Sequence, residues 1–195
     1  MNKNNLTEET YFSPENNMKY TGSSQIKSFI SCQRAALAEL TGEWVKEKSE
    51  SLLVSSYLDE KISGTLDNFK AENPEIFTKQ GELKSQYKHI EEIYDEINTE
   101  RNALFKKYLS GEHQVIMVGE ISGVPVKIKI DSYFPGKVIV DLKCVKDFGL
   151  IFDEETKQRE NFITYYDYIL QRKFIPRGCA TTYRRKITIY NCSLY

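Results

Sequence analysis

Residues 131–143 read DSYFPGKVIVDLK. Asp131 ends one predicted strand, Pro135-Gly136 makes the turn, and an apolar run carries the chain into the next strand. Side chains alternate along a strand, so Asp141 and Lys143 share a face, with Cα atoms about 7 Å apart. Val140 and Leu142 point the other way, toward a core. The hairpin brings Asp131 near Asp141.

Upstream, the same alternation predicts strands over Val115–Ile121 and Val124–Asp131, joined at Ser122-Gly123. The third strand spans Lys137–Val145. Turns this short make the strands an antiparallel meander. Before the meander the pattern is helical. A helix is expected from Ser23 or Ser24 to about Leu40, another over Lys48–Ile62 with Gly64 as its stop, and a long helical stretch over Leu83–Leu109. After the meander a helix is expected over about Glu155–Gln171, with Phe162, Tyr165, Tyr166, Ile169 and Leu170 as its apolar stripe. The fold class is therefore mixed α+β: a three-stranded meander flanked by helices, with a helical N-terminal region. Residues 1–22 are polar and are expected to be loosely ordered.

The 195 residues suit one domain, and 40% hydrophobic content supports a core in which 13 Tyr and 10 Phe weigh heavily. A net charge of −1 gives no global basic field, so any site for a polyanion has to be local. No apolar run reaches membrane-spanning length and the N-terminus lacks a signal-peptide core, so a non-membrane, cytoplasmic protein is expected. Cys32, Cys144, Cys179 and Cys192 are scattered without a C-x-x-C pair, the pattern of free thiols rather than a metal cluster. Neither His89 nor His113 falls where a metal ligand is expected.

Two carboxylates on one sheet face repel unless a cation lies between them. Mg²⁺ takes hard oxygen ligands and is typically held by one or two carboxylates with water and substrate phosphate. A neighbouring ammonium offsets negative charge developing on a phosphate. Asp131, Asp141 and Lys143 thus fit metal-dependent phosphodiester cleavage. They equally fit a turn acid and a solvated charge pair, because D-x-K is short. The apolar run just before Asp141 favours the first reading, since a charged pair ending a central strand needs a reason. Lys127, Lys129, Lys137 and Lys146 enrich the hairpins in positive charge, either to meet phosphates or as a solvated face.

Four segments extend the argument: YTGSSQIKSFISCQRAALAELTGEW, LLVSSYLDEKISGTLDNF, GEISGVPVKIKIDSYFPGKVIVDLKCVKDF and ITYYDYILQ. With them the sequence resembles the PD-(D/E)xK nuclease superfamily, and within it the phage and prophage exodeoxyribonuclease VIII group, RecE-like relatives of lambda exonuclease. The resemblance implies a restriction-endonuclease-like core over residues 23–171. It implies Asp131 and Asp141 as metal ligands, Lys143 as the catalytic lysine, and Mg²⁺ or Mn²⁺ as cofactor. Asp59 is the candidate for an additional metal-side acid on an early helix, or else a solvated helix acid. Glu120 and Gln171 are candidates for supporting roles. The implied activity is exonucleolytic hydrolysis of double-stranded DNA in phage-type recombination within a bacterial host cell. A single-strand annealing protein is the implied partner and a ring the implied oligomer. The alternative is a degenerate nuclease fold that binds DNA or protein without cutting.

Beyond Gln171 the resemblance fails. The pattern calls for a tyrosine four residues on and then another strand, whereas Pro176 and Gly178 stop a helix there. An A/T-rich back-translation read one nucleotide along restores that tyrosine and an apolar strand-like end. Residues 172–195 are accordingly expected to be an aberrant segment produced by a frameshift, leaving a truncated core.

Overall fold

A computed structural model of the chain describes residues 6–145, 148–173 and 190–191. The N-terminal half is helical. It contains α1 (Pro14–Lys19), α2 (Ser23–Ser31), α3 (Gln33–Thr41), α4 (Glu50–Ser63), α5 (Leu66–Glu72), α6 (His89–Ile97) and α7 (Ala103–Leu109). Single 3₁₀ turns at Pro74–Ile76 and Ser85–Tyr87 link α5 to α6.

Local chemistry divides what the periodicity joined. The helix expected from 23 to 40 is two helices, because Cys32 is extended (φ −155°, ψ 102°) and ends α2. Gly42 in the left-handed region (φ 78°) stops α3. α4 begins two residues later than expected, with Ser49 accepting from the Leu52 amide, and Gly64 (φ 75°) closes it. The long stretch over 83–109 breaks between α6 and α7, where the Asn102 side chain accepts from the Phe105 amide and starts a new helix.

The helices bury two apolar clusters. One joins Leu53, Val54, Tyr57 and Leu58 of α4 to Phe69, Phe77, Ile90 and Ile93. The other joins Ile97, Phe105 and Tyr108 to Val138, Val140 and Leu142. The second cluster anchors the segment that carries Asp141 and Lys143.

The meander is β1 (Glu112–Ile121), β2 (Val124–Phe134) and β3 (Val138–Val140), antiparallel in that order. Ser122 (φ 51°) and Gly123 (φ 81°) make the first turn, and two positive φ angles are what a tight two-residue hairpin demands. β2 runs through Asp131 to Phe134, so Asp131 lies inside a strand rather than at its end. The expected third strand is split. β3 stops at Val140, residues 141–143 lie outside any strand, and β4 (Cys144–Val145) pairs in parallel with β7 (Tyr190–Asn191).

The expected helix over 155–171 is instead a hairpin and two short helices: β5 (Ile151–Asp153), β6 (Gln158–Glu160), α8 (Phe162–Tyr165) and α9 (Tyr168–Lys173). Asp153 makes the hairpin turn by accepting from the Glu155 amide at 2.8 Å and the Thr156 hydroxyl at 2.9 Å. Lys157 completes it at φ 56°. Of the expected apolar stripe, Phe162 is buried, while Tyr165, Tyr166 and Ile169 are exposed.

Residues 6–22, expected to be loosely ordered, are folded onto the sheet; residues 1–5 lie outside the described residues. Thr21 donates to the Pro125 carbonyl at 2.9 Å and accepts from the Lys127 amide at 3.1 Å. It thereby covers the edge of β2 that the short β3 leaves open. Lys127 is buried, and its ammonium donates to the Tyr11 carbonyl and to Asn17 Oδ1 at 2.7 Å. It is a structural cation, not a phosphate contact. Lys129 pairs with Glu8 at 3.5 Å. Lys146 and most of the expected aberrant segment 172–195 lie outside the described residues. Among the described residues no helix is long and apolar enough to cross a membrane.

Candidate active site

The register of β2 and β3 pairs Ser132 with Val140. Continued by one residue, it sets Asp131 opposite Asp141, and facing residues of an antiparallel pair project to the same side. Ser132, fully buried, fixes the opposite side: its hydroxyl donates to the Tyr108 carbonyl at 2.7 Å. Val138, Val140 and Leu142 are buried in the second cluster while Ile139, Asp141 and Lys143 are only half-buried. The alternation therefore persists past the end of β3. Burial of Leu142 holds Asp141 and Lys143 on the Asp131 side.

Two contacts lock the three residues together. Asp131 Oδ2 accepts from the Leu142 amide at 2.9 Å. Lys143 Nζ donates to Asp141 Oδ2 at 2.6 Å. The His113 ring nitrogens lie 3.1 Å from the carbonyl oxygens of Asp131 and Leu109, bracing the backbone behind the site. His113 belongs to β1.

The electrostatics follow from this crowding. Burial raises the Asp131 carboxyl well above the usual carboxylate range; the charges of Asp141 and Asp59 add to the rise and Lys143 opposes it. Burial likewise raises Asp59 to about 6, with Lys143 opposing and Asp141 reinforcing. For Lys143, burial favours the neutral amine, but Asp141 and Asp131 outweigh it and hold the group above its ordinary value. Asp59 of α4 is thus brought within electrostatic reach of the other three.

Two predicted residues fare differently. Glu120 stands opposite Pro125 beside the first turn and is exposed. It lies six residues along the sheet from the position facing Asp131, about 20 Å at strand spacing, so it does not support the site. Gln171 falls in α9, and its side chain is outside the described residues.

Sequence reasoning missed Lys27 and Tyr168. The Lys27 ammonium donates to the Tyr166 carbonyl at 2.8 Å and lies 5.1 Å from the Tyr168 ring centroid. The Lys143 ammonium lies 5.6 Å from the same centroid. Burial lowers the Lys27 pKa and the positive charge of Lys143 lowers it further, while Asp167 and Asp141 oppose. Lys27 stands inside the quoted SSQIKSFIS run, but nothing in helical spacing says that α2 meets α9.

Among the described residues no three His, Cys, Asp or Glu side chains form a closed metal cage. Two facing carboxylates are the hard-oxygen, few-ligand set that Mg²⁺ takes when water and phosphate complete its shell. Mutual repulsion of buried carboxylates is what a divalent cation relieves. The residues present therefore fit such an ion.

Comparison with known proteins agrees with this geometry. Residues 22–191 match a family described as a PDDEXK-like domain of unknown function (DUF3799). The fold matches the crystal structure of a candidate exonuclease from Eubacterium rectale with a TM-score of 0.85 and 38% sequence identity, over 96% of this chain and 74% of that one. No curated protein matches the sequence.

Proposed function

The chain belongs to this PDDEXK-like family, and we propose that it is a metal-dependent nuclease that hydrolyses DNA phosphodiester bonds, with Asp131, Asp141 and Lys143 as its catalytic set. The observation that carries this reading is the convergence of the three side chains: Asp131 faces Asp141 across the hairpin, and Lys143 bonds to Asp141 at 2.6 Å. PDDEXK nucleases typically use divalent metals, and Mg²⁺ or Mn²⁺ is the proposed ion. The resemblance to exodeoxyribonuclease VIII and the E. rectale relative support action from the ends of double-stranded DNA. Phage-type recombination with a single-strand annealing partner, a ring oligomer and a cytoplasmic location extend the same resemblance.

The chemistry assigns one task to each residue. Asp131 and Asp141 would hold the ion, and the Leu142 amide fixes the Asp131 carboxylate. Asp59 contributes negative charge from α4. Once bound there, a divalent ion would supply polarisation of the phosphate and a lowered pKa of its water. Lys143 stays an ammonium through neutral pH and donates to the phosphate oxygens as charge develops on them. Tyr168 and Asp141 keep the flexible lysine stem aimed.

Digestion of linear duplex DNA by the purified chain tests the proposal. Cleavage is expected with Mg²⁺ or Mn²⁺ and not with EDTA. Asp141→Asn and Lys143→Ala should each lower the rate by about 10²-fold or more while leaving the fold intact. Full activity in either variant, or metal-independent cleavage, refutes the assignment.

A further inference from the structure

The corner between α8 and α9 exposes apolar surface beside the site. Tyr165 is 41% exposed, Tyr166 45% and Ile169 48%. Scattered exposed rings need no explanation, but contiguous ones mark a contact surface. The rings form a connected row that starts at the catalytic lysine. Lys143 and Lys27 both place their ammonium groups over Tyr168. The Tyr168 and Tyr166 centroids are 5.8 Å apart, and those of Tyr166 and Tyr165 are 5.1 Å apart. Cations therefore sit at the inner end of the row and solvent-exposed rings at the outer end.

That order matches one kind of ligand. Proteins that hold single-stranded nucleic acid pair a positive track for the backbone with aromatic rings that stack the bases. A paired duplex hides all its base faces in the stack except those of the terminal pair and offers such rings far less to grip. We propose that Tyr165 and Tyr166 stack unpaired bases of a DNA strand whose backbone passes Lys27 and Lys143, so that the preferred substrate is an end carrying several unpaired nucleotides. The proposal rests on the nuclease reading and adds to it the state of the strand at the point of cutting. The Lys27 and Lys143 ammonium groups at the inner end of the row, although shared with Asp141 and Asp167, and continuity with the acid–acid–lysine set favour a nucleic-acid strand over a second copy of this chain.

Binding is separated from cutting by working in EDTA with the full chain. The probes are a fluorescein-labelled oligothymidylate 12-mer, a flush-ended duplex, and the same duplex with a four-nucleotide overhang. The wild type is expected to bind the 12-mer and the overhang at least tenfold more tightly than the flush duplex. The double variant Tyr165→Ala, Tyr166→Ala should lose about tenfold on the 12-mer and the overhang duplex and nothing on the flush duplex, a size in line with base–aromatic stacking. Tyr165→Phe with Tyr166→Phe keeps both rings and should bind like the wild type. Both tyrosines are exposed, and matching thermal melts will establish that each variant is folded. Equal binding of the 12-mer by the alanine variant and the wild type overturns the proposal. So does a wild type without preference for unpaired strands, or an alanine variant whose only change is loss of a dimer. Duplex digestion by the wild type without any ring dependence sinks this inference alone. Ring-dependent binding without digestion sinks the nuclease reading and leaves the stacking surface.

Discussion

Removing divalent ions and raising the pH should weaken this protein, and the structure says by how much. Asp59 has a folded pKa of about 6 against an ordinary value of 3.8, because burial and the neighbouring Asp141 penalise its charge. A raised carboxyl contributes its stability below the unfolded value and loses it as the pH climbs through the folded one. The window is therefore about pH 4 to 7, with stability falling toward neutrality. Two pKa units correspond to about 3 kcal/mol. The Asp59 charge raises Asp131 in turn, so the loss belongs to the cluster rather than to Asp59 alone. Asp131 is shifted in the same direction and adds to it. For a chain of this size the drop amounts to about 5–10 °C in Tm. Thermal melts in EDTA between pH 4.5 and 7.5 measure it, with Asp59→Asn beside the wild type. The variant should melt higher than the wild type at pH 7.5, near it at pH 4.5, and with a flatter slope. Millimolar Mg²⁺ should restore the wild type at pH 7.5 through ligand linkage and do much less for Asp131→Asn. An Asp59→Asn variant with the wild-type pH slope would refute the crowding argument, because the carboxylate would then sit in water rather than beside its neighbours.

Leu142→Ala should cost about 2–5 kcal/mol in urea denaturation, the range for emptying a buried leucine site. It should also cut DNA digestion more than the folded fraction explains, since Leu142 burial aims Asp141 and Lys143; activity that tracks the folded fraction alone would deny it that second role. Lys127→Ala removes the buried ammonium that joins β2 to Tyr11 and Asn17. Limited proteolysis should then cleave within residues 6–22 several times faster than in the wild type, and an unchanged pattern would mean that Thr21 alone holds the segment.

The sheet was legible because its signals are local. Alternation over β1 and β2, Ser122-Gly123 with two positive φ angles, and Pro135-Gly136 each act within a few residues, and the meander follows from them. The helices were legible as helical character but not as bounded pieces. Apolar spacing continues smoothly through Cys32 and through residues 98–102, whereas backbone conformation at Cys32 and the Asn102 cap decide where helices end. The region after β4 misled for a related reason. Phe162, Tyr165, Tyr166 and Ile169 have helical spacing, so they read as one buried stripe. Asp153 instead closes a hairpin just before them, and most of these rings face solvent.

The candidate site divides along the same line. Asp131, Asp141 and Lys143 were readable because a hairpin converts sequence separation into proximity with almost no freedom. Their relation also survives an error in the strand assignment: residues 141–143 leave the ladder, yet Val140 and Leu142 stay buried and preserve the alternation. Packing at a strand's end can thus carry register beyond the last hydrogen bond. Asp59 required an outside resemblance, because its approach depends on how α4 lies against β4. Lys27 and Tyr168 had no signal at all, since their meeting depends on α2 packing against α9, more than 130 residues apart in the chain. The proposed catalytic set is therefore written in thirteen consecutive residues. The proposed grip on a strand is written only in how distant helices pack.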